Sequence, residues 1–159
     1  MSKIRKTTQY LMPVSRKKPG ALDYDIYPVH DLGDGTVSSD ISELAARIPE
    51  RGTVIVDGYV GVRFDEFVSS LNEALSAVGK TALWWSVDSA LKSPAEIDKM
   101  IEPFLGGDDP LFGYRASLEL KDFFDVDKLA SIKADASAPL NIIYGIGASL
   151  AGWEGTLIY

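Results

Sequence analysis

The chain has no cysteine and a single histidine, His30. Disulfides, thiol nucleophiles and thiolate metal sites are therefore excluded. A catalytic zinc needs about three protein ligands and an open position, and no cluster of His and Glu stands at metal-ligand spacing. His30 lies in a Pro28-Val29-His30-Asp31 loop and reads as a surface histidine. Long apolar runs are missing too: none approaches the eighteen or so residues of a membrane-spanning helix, and no apolar segment near the start resembles a secretory signal. No membrane partner is expected, and the cytoplasm is the expected compartment.

Acidic residues are absent from the first twenty positions, which carry Lys3, Arg5, Lys6, Arg16, Lys17 and Lys18, although the net charge is −7. A basic arm precedes an acidic body. Such an arm can dock on its own acidic domain, stay solvated, or touch RNA or a phosphate-bearing ligand. The lack of an aromatic-interleaved basic patch or a nucleic-acid motif argues against RNA and DNA.

What is present suits one domain with a real core: 159 residues, 46% apolar and 25% charged. Residues 1–38 read as the basic arm and loops, because Pro13, Pro19, Pro28 and the Gly33-Asp34-Gly35 turn punctuate them, with one short strand expected at Tyr24–Tyr27. Residues 39–159 read as α/β. Asp40 is placed to cap a helix with Ile41, Leu44, Ala45 and Ile48 on one face, ending near Pro49. Thr53–Val56 is a β-branched run of the kind buried on both faces of a parallel sheet. A helix is expected from Phe64 to Val78, with Gly79 as its stop. Thr81–Val87 reads as a second strand whose end presents Asp88. Ser93-Pro94-Ala95-Glu96 is a capping box with proline at N1. Partly helical chain follows at Phe123–Ile132, and Leu140–Tyr144 is a third buried strand. Thr156–Tyr159 reads as another strand with no turn after it. A portion of a longer protein is expected from that pattern, with a natural terminus as the alternative.

The candidate sites lie at the ends of these strands. Asp57-Gly58-Tyr59-Val60-Gly61-Val62-Arg63 joins a strand to a helix, the construction of a phosphate-binding loop. The G-x-x-x-x-G-K-[ST] pattern uses backbone N–H groups as a cradle, a lysine for the β/γ-phosphates and a hydroxyl for magnesium. Counted from Gly58, its last three positions hold Arg63, Phe64 and Asp65. Arg63 can partly replace the lysine. Asp65 suits the helix dipole but would repel a phosphate there. Asp88 should emerge where open α/β sheets bind ligands, although acids at strand ends also cap the next turn. Asp108 and Asp109 form a carboxylate pair for acid/base or magnesium chemistry, or simply a turn after Gly106-Gly107. Gly145 and Gly147 permit close backbone approach but are too short a motif for a dinucleotide fingerprint. Trp84 and Trp85 alternate across the sheet, which favours core packing over a sugar-stacking platform.

The order of Asp57-Gly58-Tyr59-Val60-Gly61, Ser86-Val87-Asp88-Ser89 and Tyr144-Gly145-Ile146 resembles that of the uridine kinase and phosphoribulokinase group of P-loop kinases. The resemblance implies a P-loop NTPase or nucleoside kinase-like fold, a parallel sheet with helices on both faces, and Asp88 as base toward an acceptor hydroxyl. It also exposes departures: Phe64 and Asp65 replace the loop lysine and hydroxyl, and Tyr144 stands where an acid precedes the last glycine. Losing a lysine and a magnesium ligand removes most of the charge stabilisation that phosphoryl transfer needs. The chain as a whole, including Arg5–Gly20 and Phe104–Gly113, is similar to the N-terminal extension of long bacterial class I mannose-6-phosphate isomerases. That resemblance implies a non-catalytic or regulatory, kinase-like domain preceding a zinc-dependent cupin. The cupin would carry the zinc and interconvert mannose 6-phosphate and fructose 6-phosphate. No cofactor is then expected in this segment; its partner is the isomerase domain, a sugar phosphate or nucleotide is a possible ligand, and self-association is open. A small phosphotransferase using Arg63 and Asp88, and a plain α/β interaction domain, are the alternatives.

Overall fold

The computed structural model describes residues 40–108 and 112–159. Four parallel strands form one sheet: β1 (Gly52–Gly58), β2 (Ala82–Ser86), β3 (Leu140–Ile146) and β4 (Thr156–Ile158), in the order β2-β3-β1-β4. The helices are α1 (Ile41–Arg47), α2 (Phe64–Ala77), α3 (Pro94–Ile101) and α4 (Val126–Ser131). The α/β class and the parallel sheet expected from the sequence are present. The expected strand at Tyr24–Tyr27, the basic arm, His30 and Asp109 lie outside the described residues. Among those described, no helix is long and apolar enough to cross a membrane.

Local chemistry accounts for most boundaries. The Asp40 side chain accepts from the Ser42 N–H and opens α1. Ser93 and Glu96 form the reciprocal capping box of α3, with Pro94 at its first position. Gly79, at φ +75°, ends α2, as the αL stop requires. Two boundaries differ from expectation for visible reasons. The second strand stops at Ser86 because the Ser86 hydroxyl accepts from the Asp88 N–H and winds Val87–Ala90 into a 3-10 turn. The expected helical stretch at Phe123–Ile132 is interrupted because Phe124 is extended, buried and bridged to Leu91, so that Asp125 caps a new helix at Val126.

The sheet separates two apolar layers. Val54 and Val56 of β1 with Leu140 and Ile142 of β3 pack against Ala45 and Ile48 of the α1 region and Leu71 and Leu75 of α2. Ile55 and Ile143 point the other way, toward Val87, Ala90, Phe124, Ile132 and Ala148. The connection from β1 to β2 runs one way across the sheet and those from β2 to β3 and β3 to β4 run the other, so right-handed crossovers belong on opposite faces. Trp84 joins the first layer and Trp85 the second, so their alternation places both in packing roles. Asn141, only 3% exposed, makes three side-chain hydrogen bonds: Oδ1 accepts from Trp85 Nε1 and the Asp135 N–H, and Nδ2 donates to the Asp135 carbonyl.

Lys80 fastens α1 to the layer. Its ammonium donates to the carbonyls of Ala45, Ala46 and Ile48 at 2.8, 3.0 and 2.6 Å, satisfying groups that the end of a helix leaves free. Replacing Lys80 with Met should lower stability by about 2 kcal/mol in urea denaturation, since a hydrogen bond to a charged group is worth roughly 1.5–3 kcal/mol, the three bonds share one ammonium, and carbonyls at the end of α1 can turn to water instead. Leu71→Ala, which empties a fully buried site, should cost about 2–5 kcal/mol in the same assay.

Candidate functional site

Ligands of open parallel sheets bind at the carboxyl ends of strands, where successive connections leave in opposite directions. In this sheet that point lies between β1 and β3: the chain leaves β1 toward β2 and leaves β3 toward β4. Register places Asp57 opposite Gly145 and Gly58 opposite Ile146, while Ser86 of β2 lies beside Tyr144. Gly58, Asp88, Gly145 and Gly147, singled out from the sequence on separate segments, therefore belong to one edge of the sheet.

The centre of this edge is Asp57, a residue to which the sequence reading gave no role. Its Oδ1 accepts from the Gly58 N–H at 2.7 Å and the Gly147 N–H at 2.8 Å. Its Oδ2 accepts from the Ser149 N–H at 3.0 Å and from the Ser149 hydroxyl. Gly147, at φ +77°, turns its N–H inward, and the 3-10 turn Ala148–Ala151 follows. Such a left-handed residue leading into a helical turn aims successive N–H groups at an anion. Here the anion is the protein's own carboxylate. Partial burial pushes the Asp57 carboxyl upward, but the Ser149 hydroxyl and the N–H groups of Ser149, Gly147 and Gly58 together hold it below the ordinary aspartate value.

The loop after β1 closes on itself. Val62 donates to the Tyr59 carbonyl, and Gly61 sits at φ +102°, a conformation L side chains rarely adopt. A Cβ at Gly58 would lie 3.2 Å from Val62 Cγ2 and 3.3 Å from Phe64 Cζ, so the close approach at this glycine is to side chains of the same loop. Phe64, in the lysine position of the pattern, packs its ring on Tyr144 at a centroid separation of 6.3 Å, and Trp84 meets Tyr144 edge-on at 6.1 Å. Tyr59 and Val60 project outward, 71% and 80% exposed.

Arg63 stands at the N-terminus of α2 and pairs with Glu66, both side chains partly in solvent. A pair of this exposure contributes about 0.2–1 kcal/mol, which restrains Arg63 without committing it. Asp65 and Glu66 occupy the first turn of α2, where they favour the helix dipole and oppose a bound phosphate.

Asp88 emerges at the edge as the sequence suggested. A Cβ on Gly145 would stand 3.5 Å from Asp88 Oδ1 and only 2.6 Å from Val87 Cγ1, and Gly145 has φ +126°. Both space and backbone conformation require glycine there. Asp88 is exposed, its N–H held by Ser86 and its carbonyl accepting from Leu91. Gly147 is hemmed in by Leu120, Leu150 and Phe124, each 3.2 Å from its would-be Cβ. Asp108 is exposed beside Gly107 at φ +59°, in a turn. Among the described residues, no three His, Cys, Asp or Glu side chains gather where they could hold a metal ion.

Residues 40–159 match the family model described as "Domain of unknown function (DUF8485)". The chain belongs to that family. No curated protein and no solved structure matches it.

Asp57→Asn keeps the shape but removes the charge and turns an NH2 group toward N–H donors. It should lower stability by about 1–3 kcal/mol in urea denaturation and speed hydrogen exchange at the Gly147 and Ser149 amides. The Asp57 contribution has a defined pH dependence. Because the folded carboxyl is held below its unfolded value of about 3.9, its contribution is present above that pH and fades as pH falls through the lower folded value. Acid unfolding of Asp57→Asn should accordingly be less steep than that of the parent below about pH 4.

Proposed function

We propose that this chain is a non-catalytic α/β module, a nucleoside kinase-like sheet whose phosphate site has been given over to internal structure. It acts through contact with another protein domain. The observation that carries the reading is the Asp57 carboxylate, which uses the Gly58, Gly147 and Ser149 N–H groups at the point of the sheet where a ligand would be expected. Phe64 on Tyr144 and Val62 over Gly58 add to it, since they fill the inside of the loop with apolar side chains. A phosphate at the start of α2 would face Asp65 and Glu66, with Arg63 already paired to Glu66.

The resemblance to the N-terminal extension of long mannose-6-phosphate isomerases supports a zinc cupin isomerase domain as the partner, in the cytoplasm. The zinc and the interconversion of mannose 6-phosphate and fructose 6-phosphate would then belong to that domain. The outward Tyr59 and Val60 are the side chains of the loop best suited to contact it, because an aromatic with a polar tip contributes strongly at protein interfaces. One observation favours a second reading, a small phosphotransferase: Asp88 is exposed at the sheet edge beside Gly145, within the region an acceptor hydroxyl would approach.

Calorimetric titration with ATP–magnesium and, separately, with mannose 6-phosphate separates the two. The module reading predicts no saturable heat from either ligand. Saturable ATP binding that disappears in Arg63→Ala would overturn it and make Asp88→Asn the next variant to assay for phosphoryl transfer. Binding of mannose 6-phosphate alone would recast the module as a sensor of the isomerase substrate. Tyr59→Ser should weaken association with a purified zinc isomerase domain about tenfold or more by surface plasmon resonance, leaving the urea midpoint unchanged.

A further inference from the structure

We draw no further inference here: the strongest candidate, the outer edge of β4 with Leu157 exposed and no further strand paired to it among the described residues, carries nothing because no feature of the structure shows what covers it.

Discussion

A single carboxylate governs the carboxyl edge of this sheet. Asp57 is the penultimate residue of the inner strand β1 and binds Gly147 and Ser149, which follow β3 about ninety positions later in the chain. Four donors converge on its two oxygens, and each would otherwise be a backbone or hydroxyl group seeking an acceptor at the mouth of a parallel sheet. The interaction fixes the turn Ala148–Ala151, and through it the apolar second layer in which Ala148 is buried. Donors bound to an internal carboxylate are not available to another anion unless that carboxylate moves.

The residues at which the loop differs from the phosphate-binding pattern share a packing role at this edge. Phe64, at the position where the G-x-x-x-x-G-K-[ST] pattern has lysine, packs its ring on Tyr144. Trp84, hydrogen-bonded to Asn72 of α2, extends the same aromatic row along the sheet. Together these rings make the neighbourhood apolar and suited to packing. Arg63 and Asp88, the polar side chains that the sequence singled out beside this edge, are both exposed.

Legibility in the sequence followed the range of the interactions. Asp40, Ser93 with Glu96, and Gly79 act on residues within four or five positions, so the ends of α1, α3 and α2 were visible in the string. The β-branched run at Thr53–Val56 and the short apolar segment Leu140–Tyr144 marked the buried strands for the same reason. The Trp84 and Trp85 alternation needed only the two-residue period of a strand. Asp57 and Lys80 were missed as structural keys because their partners lie far away in sequence, the glycine turn after β3 for one and the end of α1 for the other. A signal for Asp57 did exist: an acid ending a buried strand, with a Gly145-Ile146-Gly147 turn ending another, supplies an acceptor and a set of inward N–H groups. The loop at Gly58 was legible as a close approach, but what it approaches, Val62 and Phe64, is decided by tertiary packing.

The most direct test of this account is a carbon-detected NMR titration of the Asp57 carboxyl, followed together with the Gly147 and Ser149 amide shifts from neutral pH into acid. The account predicts that Asp57 titrates below the ordinary aspartate value of about 3.9 and that both amide signals move with the same midpoint, since all three report one cluster. A carboxyl titrating at or above that value, with amides indifferent to it, would contradict the claim that Asp57 is the anion around which this edge is built.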